Sequence, residues 1–276
     1  MLLENDRIEM ALQPILQRVD VELVDTLGNA FCYYEALARR VAPDGSYQNS
    51  AAFLQDMDIE SLTDVSIEML RQADQYLSGF NYAQRPTIFV NVHPHTLADP
   101  NLAGKFMSSL LGIQNRNLIA IEITEEITAD NLNVLTSNVR DISQIHFPVA
   151  VDDYQWPGPT ESPHQSRVLP FASYIKVRLK DILTETPEVP QEFKGFFCQQ
   201  HHTQYGRRVI FEMINNAGEL AKAIELGAHM FQGFHFGKPM LASELGLPAA
   251  PKILKEPIKT FAQDERFPIA TPLIPN

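Results

Sequence analysis

The sequence contains little cysteine, one tryptophan and no long apolar run. Its two cysteines, Cys32 and Cys198, are too few for a disulfide framework or a cysteine-based zinc site, so we expect two reduced thiols. No run approaches the length needed to cross a bilayer, and residues 1–6 lack the apolar core of a targeting signal. These absences predict a cytoplasmic protein that does not contact a membrane.

Positive charge is also scarce in this chain. It has 22 lysines and arginines against 34 acidic residues, a net charge of −12 and a pI of about 5.1. Such a balance provides no general electrostatic surface for a nucleic acid polymer or an anionic membrane. A phosphorylated substrate stays compatible with it, because bound metal ions reverse the local field.

The pattern that is present is a regular alternation of short apolar runs and helical segments. At 276 residues and 45% hydrophobic, the chain fits one large α/β domain. Two predicted strands, 8–19 and 30–37, follow each other so closely that we expect them to be antiparallel. The main predicted helices cover 50–56, 62–77, 96–111, 130–145, 191–205 and 217–226.

Polar residues follow the predicted strands at the point where each strand ends. The run 147–151 ends in Asp152 and Asp153, whose charges would repel by roughly 3 kcal/mol at ~5 Å, so a proton or a cation must relieve them. In a parallel barrel the strand ends meet at one mouth, so five carboxylates and an amide would form an oxygen-rich cage for Mg²⁺ or Mn²⁺. The other strand-end residues are Glu35, Asn91, Glu122, Lys176, Glu212 and Gln232.

These residues belong to an ordered series of motifs between residues 8 and 240. A single Glu-Ala-Leu would carry no information, whereas the whole series in this order is specific. It resembles the EAL domain family, the cyclic di-GMP phosphodiesterases. The motifs are Gln13-Pro14-Ile15, Glu35-Ala36-Leu37-Ala38-Arg39, Asn91-Val92-His93-Pro94, Glu122-Ile123-Thr124-Glu125, Asp152-Asp153, Lys176, Glu212, Gln232-Gly233 and Lys238-Pro239.

The resemblance implies a fold and a reaction. The fold would be an EAL-type barrel over residues 1–240, a TIM-like (β/α)8 barrel with one antiparallel strand, and an irregular extension over 241–276. The reaction would be hydrolysis of cyclic di-GMP to linear pGpG, by in-line attack of water on phosphorus with two Mg²⁺ or Mn²⁺ ions. The alternative is a degenerate EAL barrel that acts as a cyclic di-GMP receptor or a protein-interaction module.

The resemblance also implies partners. Cyclic di-GMP is the expected ligand, and a homodimer is the expected assembly. No receiver, PAS or GGDEF-like segment precedes the barrel, so we expect regulation to come from a partner protein, from oligomerisation or from the extension.

Individual roles follow from the same resemblance. Glu35, Asn91, Glu122 and Asp152 would hold one metal ion, and Asp152, Asp153 and Glu212 the other. Lys176 would position the attacking water and, with Glu35 and Glu212, makes up the expected catalytic set. Glu125 would anchor the loop after Asp153, and Gln232 would support the metal site. The expected substrate contacts are Gln13, Leu37, Arg39, Asn91, Asp153, Gln232 and Pro239.

Three places depart from the family pattern. The loop after Asp153 reads Tyr154-Gln155-Trp156-Pro157-Gly158, so rigid and bulky residues replace flexible glycines. The family's Lys-Ile-Asp is Lys176-Val177-Arg178. Strand alternation predicts that Arg178 faces the same side as Lys176. There it would either pair with Asp153 and weaken binding of the second metal, or partly replace the charge of that metal. The family's Ala-Glu-Gly-Val-Glu is Phe211-Glu212-Met213-Ile214-Asn215. The complete ligand set favours the enzyme, and the departures favour the binding module.

Overall fold

The structure, a computed structural model, describes residues 7–17, 33–42, 45–82, 85–124, 131–154, 167–185, 206–228 and 230–245. The strands in these ranges are β1 Arg7–Gln17, β2 Tyr33–Val41, β3 Tyr47–Gln48, β4 Thr87–Val92, β5 Ile119–Ile123, β6 Val149–Val151, β7 Tyr174–Arg178, β8 Arg208–Glu212, β9 Met230–Gln232 and β10 Met240–Leu241. They form one sheet, in the order β10-β1-β9-β8-β7-β6-β5-β4-β2-β3. Eight of them close into a barrel, because β2 also pairs with β1.

One strand of the barrel runs against the others. Strand β1 is antiparallel to both of its barrel neighbours, β2 and β9. The remaining neighbours, from β2 through β4 to β9, pair in parallel. The prediction of a TIM-like barrel with one antiparallel strand is therefore confirmed.

Helices follow the parallel strands and cover the outside of the barrel. The long helix over Ile59–Ser78 begins at Asp58, whose side chain accepts a hydrogen bond from the Ser61 backbone N–H, and ends at Gly79. Its buried face packs against the sheet. The helices are α1 Ser50–Leu54, α2 Ile59–Ser78, α3 Pro94–Ala98, α4 Pro100–Leu110, α5 Leu132–Gln144, α6 Leu179–Glu185, α7 Ala217–Glu225 and α8 Ala242–Leu245.

The predicted single helix over 96–111 is wrong, because the chain breaks into α3 and α4 at Asp99. A residue before proline disfavours the helical conformation, and Asp99 is extended, with φ −86° and ψ 123°. Its side chain then caps α4 by accepting from the N–H groups of Asn101 and Leu102. Pro100 loses nothing at the first helical position, where its missing N–H would have no partner.

One residue from each barrel strand forms an apolar layer inside the barrel. Its rings interlock: the centroids of Phe89 and Tyr174 lie 4.8 Å apart in a T-shaped contact. Because side chains on one face of a strand recur every second residue, the next layer begins two residues further on. The apolar layer consists of Ile15, Tyr33, Phe89, Ala120, Ala150, Tyr174, Ile210 and Met230.

Several predictions fall outside the described residues. These are the helix over 191–205, the loop with Trp156, and Glu125 with its role as a loop anchor. The chain after the barrel is described as far as Leu245, through β10 and α8, so the boundary between barrel and extension stays a prediction. Within the described ranges no helix is both long and apolar enough to span a membrane.

Candidate active site

A polar layer lies directly above the apolar layer, at the mouth of the barrel. Each member stands two residues from a member of the apolar layer on the same strand. On the reversed strand β1 the order is inverted, so Gln13 precedes Ile15 and faces Glu35 across the pair. We call these residues the mouth layer: Gln13, Glu35, Asn91, Glu122, Asp152, Lys176, Glu212 and Gln232. Every one was predicted as a site residue.

The Lys176 ammonium is the centre of the mouth layer. Its Nζ lies 2.6 Å from Oε1 of Glu122 and 3.0 Å from Oε2 of Glu212. It also lies 3.3 Å from Oε2 of Glu35 and 3.5 Å from Oδ1 of Asp152. Burial lowers the pKa of this ammonium, but the attraction of the four carboxylates outweighs burial and raises the pKa well above its usual value. Lys176 therefore stays charged and holds the acids together.

Two amides fix the Glu35 carboxylate. Asn91 Nδ2 donates to Oε1 at 2.8 Å, and Gln232 Nε2 donates to Oε2 at 2.5 Å. Burial raises the pKa of Glu35, but Lys176 and these hydrogen bonds together bring it below its ordinary value. Glu35 is thus an ionised carboxylate with a fixed orientation, as a metal ligand or a general base requires.

The other buried acids carry more negative charge than one lysine can neutralise. Burial raises the pKa of Glu122 well above its usual value, and the neighbouring carboxylates raise it further against the effect of Lys176. Burial and the charges of Asp152 and Glu35 raise the pKa of Glu212 to about 8, again against Lys176. The mouth layer therefore either retains protons or binds additional cations.

The donor set of the mouth fits a hard divalent cation. Oxygens of Asp152, Asp153 and Glu212 all lie within 4.8 Å of one another, and we call these three residues the acidic triad. Among the described residues, none donates a hydrogen bond to the buried oxygens Glu122 Oε2 and Asp152 Oδ1, although Lys176 Nζ lies 3.5 Å from the Asp152 oxygen. A buried carboxylate oxygen without a donor, such as Glu122 Oε2, raises the free energy of the fold unless a cation contacts it.

Asp153 departs from the strand alternation. Its φ of 43° is left-handed, a conformation that aspartate tolerates better than most residues, and it places Asp153 beside Asp152. Oδ1 of Asp153 lies 2.6 Å from Arg178 Nε, which also lies 3.0 Å from Oδ2 of Asp181. Arg178 therefore pairs with Asp153, as one of the arrangements expected from the sequence had it, and the effect of this pair on the second metal stays a prediction.

The remaining expected substrate contacts surround the mouth. Arg39 is buried, and its Nη1 donates to the Ala38 carbonyl at 3.1 Å and to Ser50 Oγ at 3.0 Å. Leu37 and Pro239 are partly exposed. The roles assigned to these residues stay predictions.

Two backbone features of the site were not predicted. A Cβ at Gly233 would collide with the backbone O and N of Ile214, so only glycine fits after Gln232. Met213, directly after Glu212, has a φ of 61° and a side chain that is 57% exposed. The signal for Met213 was in the family motif, which has glycine at that position. Asp181 was also missed, although it lies three residues after Arg178.

Comparisons with known proteins agree with this architecture. The model of the EAL domain matches residues 1–239. The signaling protein YkoW of Bacillus subtilis (strain 168) is 23% identical over 241 residues, which are 86% of this chain and 29% of YkoW. The chain thus spans less than a third of that relative.

Solved structures share the fold. An EAL domain protein from Listeria monocytogenes EGD-e superposes with a TM-score of 0.65 at 19% identity, over 86% of this chain and 90% of that one. The YkuI protein of Bacillus subtilis has an EAL domain and was solved in complex with its substrate c-di-GMP and calcium. It superposes with a TM-score of 0.65 at 19% identity, over 85% of this chain and 56% of that one. With its family model, its barrel and its mouth layer, the chain belongs to the EAL domain family.

Proposed function

We propose that this chain hydrolyses cyclic di-GMP to linear pGpG, with two divalent cations, Mg²⁺ or Mn²⁺, held in the mouth of the barrel. The observation that carries the proposal is the mouth layer itself: four carboxylates around one buried ammonium, with a buried oxygen of Glu122 that accepts no hydrogen bond from the described residues. A fold gains no stability from such an arrangement unless cations complete it.

The residues of the chain divide into ligands and orienting groups. Glu35, Asn91, Glu122 and Asp152 would hold one cation, and the acidic triad the other. When bound, the cations lower the pKa of a coordinated water and neutralise charge on the phosphate. Asn91 and Gln232 orient Glu35 through their hydrogen bonds, and Lys176 remains a proton-bearing cation that can hold the attacking water near the phosphorus.

The nucleotide is inferred from relatives. The YkuI structure contains c-di-GMP and calcium, and an EAL domain model matches this chain over residues 1–239. Around the same mouth, Gln13, Leu37, Arg39 and Pro239 would contact the nucleotide. Arg39 is the candidate for a phosphate oxygen, because a guanidinium forms strong charge-assisted hydrogen bonds with phosphate.

The test is a turnover assay with cyclic di-GMP in Mn²⁺, Mg²⁺ or a chelator, with pGpG separated chromatographically. We expect product in either metal and none in the chelator. We expect the substitution Glu35→Gln, which keeps the shape of the side chain and removes its charge, to lower turnover at least about 10³-fold. Unfolding in denaturant should show that this variant is folded. Equal turnover in the chelator, or in folded Glu35→Gln, would contradict the proposal.

A second candidate is a cyclic di-GMP receptor or protein-interaction module. The observation that favours it is the ion pair between Arg178 and Asp153, which engages one acid of the second cation position. Calorimetry separates the candidates: nucleotide binding without turnover indicates a receptor, and no binding indicates a protein-contact scaffold.

The assembly and the cell compartment are proposals too. We propose a cytoplasmic homodimer that is regulated by a partner protein. Light scattering on the purified chain tests the dimer, and a monomer at micromolar concentration would contradict it.

A further inference from the structure

Arg178 lies at the edge of the acidic triad. It ends β7 and pairs in the sheet with Glu212 of β8, which is itself a member of the triad. Its Nε lies 2.6 Å from Oδ1 of Asp153, a second member. A positive charge therefore contacts one of the three acids that would hold a divalent cation, and its strand neighbours the strand that carries another.

Asp181 offers the same guanidinium a partner outside the triad. Oδ2 of Asp181, in α6, lies 3.0 Å from Arg178 Nε. The Asp181 side chain is 59% exposed, whereas that of Asp153 is 20% exposed. The guanidinium thus contacts one acid inside the cation position and one acid near the solvent.

The two cationic side chains at the mouth, Lys176 and Arg178, differ in exposure. The Lys176 side chain is 1% exposed and is held by four carboxylates, so it has no solvated position to move to. The Arg178 side chain is 39% exposed and adjoins an exposed acid. Of these two cations, Arg178 is the one that can yield its place without leaving a buried charge unpaired.

We propose that Arg178 competes with divalent cations for the acidic triad, and that Asp181 holds its guanidinium when a cation takes Asp153. The inference rests on the proposed function, since it concerns how the same mouth binds metal. Arg178 is a positioning residue in this account: it sets the affinity of the triad for the second ion. The triad then fills only at high metal concentration, because like charges repel at this distance.

The experiment is a titration of the full chain with Mn²⁺ alone, with free Mn²⁺ measured by electron paramagnetic resonance. We expect Arg178→Ala to bind Mn²⁺ at the triad at least about tenfold more tightly than the wild type, a change of the size known for residues that support metal ligands. The control Arg178→Lys keeps the charge and should stay within about threefold of the wild type.

Asp181→Ala should change the affinity in the opposite direction. Asp181→Ala removes a carboxylate that lies 3.0 Å from Arg178 Nε outside the triad, so Mn²⁺ binding should weaken by about threefold or more. This opposition of sign distinguishes competition from a structural role, because loss of a structural contact would weaken binding in both variants. Circular dichroism checks that each variant is folded, and Arg178→Gln provides a second neutral variant of similar size.

A double-mutant cycle assigns the effect to the triad. In an Asp153→Asn background the Asp153 carboxylate is absent, so the guanidinium and Mn²⁺ no longer compete for it. Adding Arg178→Ala should then alter the affinity for Mn²⁺ by less than about twofold. Unchanged or weakened Mn²⁺ binding in Arg178→Ala and Arg178→Gln overturns the inference. Absence of Mn²⁺ binding in every form overturns it as well.

The failure of this inference differs from that of the proposed function. A wild-type chain that hydrolyses cyclic di-GMP while Arg178→Ala leaves Mn²⁺ affinity unchanged refutes the competition alone. A wild-type chain that binds Mn²⁺ with the predicted signs but forms no pGpG refutes the hydrolase and leaves the competition standing.

Discussion

The apolar layer and the mouth layer use the same eight strands for opposite purposes. The apolar layer buries two tyrosines, a phenylalanine and five aliphatic side chains, and each large apolar side chain contributes roughly 1.5–3 kcal/mol on burial. Two residues further on, the same strands place four buried or partly buried carboxylates around Lys176. Burial lowers the free energy of the apolar layer and raises that of the mouth layer. The apolar layer therefore offsets the cost of burying the charged site.

Within the mouth layer, the pKa values of the acids shift in different directions. Glu122 and Glu212 have raised pKa values because they are buried among like charges, whereas Lys176 and the two amide partners lower the pKa of Glu35. The mouth layer thus contains one well-compensated acid and two poorly compensated ones. Predictions that separate stability from cation binding test this distinction.

The largest expected effect is in the apolar layer. Phe89 is fully buried and packs against Tyr33 and Tyr174, so Phe89→Ala should lower the free energy of unfolding by about 3–5 kcal/mol. Denaturant unfolding in the presence of a chelator measures the change, with Phe89→Leu as a milder control. Mn²⁺ affinity of the folded variant should stay within about twofold of the wild type. A large loss of Mn²⁺ affinity would show that the two layers are not separable.

The second effect depends on pH. The pKa of Glu212 is raised to about 8 in the folded chain, so the folded state holds this proton more tightly than the unfolded state, whose ordinary value is 4.5. The contribution of Glu212 to stability is therefore greatest below pH 4.5 and is lost as pH rises through about 8.

Glu212→Gln removes this titration. As the pH rises from 6 to 9, the free energy of unfolding of the metal-free variant should therefore increase by about 1–3 kcal/mol relative to that of the wild type. The measurement is denaturant unfolding in a chelator at both pH values. The matched control is Glu244→Gln, an exposed acid in α8. Parallel pH profiles for the wild type and Glu212→Gln would refute the assignment of the raised pKa to Glu212.

The smallest effect is at the backbone beside Glu212. Met213 adopts φ 61°, where most side chains are strained, and its own side chain is exposed, so Met213→Gly should stabilise the fold by up to about 1 kcal/mol. Met213→Ala keeps the strain and should not stabilise. Thermal unfolding of the two variants side by side provides the measurement, and a less stable glycine variant would show that the conformation is not strained.

Much of the barrel and of the mouth layer was predictable from the sequence. Polar residues at successive strand ends identified seven of the eight members, because parallel strands bring their carboxyl ends together, and the resemblance to the EAL motif Gln-Pro-Ile identified Gln13. The antiparallel β1 followed from its short connection to β2. These features depend on local patterns that recur along the chain.

Features that depend on contacts between distant segments were not predictable. The convergence of four acids on Lys176 requires the closed barrel, since Glu35 lies 141 residues from Lys176. The pairing of Arg178 with Asp153 was one of the arrangements expected from the sequence, whereas the left-handed backbone of Asp153 and the additional contact of Arg178 with Asp181 were not expected. The break at Asp99 was missed because the apolar period continues through it, although Pro100 marked it.

The central claim is that the mouth layer is unstable alone and becomes favourable when it binds divalent cations. The most direct measurement is the unfolding temperature of the wild type in a chelator and in Mn²⁺, beside Glu122→Gln. At about 100 times the dissociation constant, binding should add about 2.7 kcal/mol and raise the unfolding temperature of the wild type by roughly 5–10 °C. Glu122→Gln should be at least as stable as the wild type in the chelator and gain less from Mn²⁺. An unfolding temperature of the wild type that is the same in the chelator and in Mn²⁺ would contradict the claim.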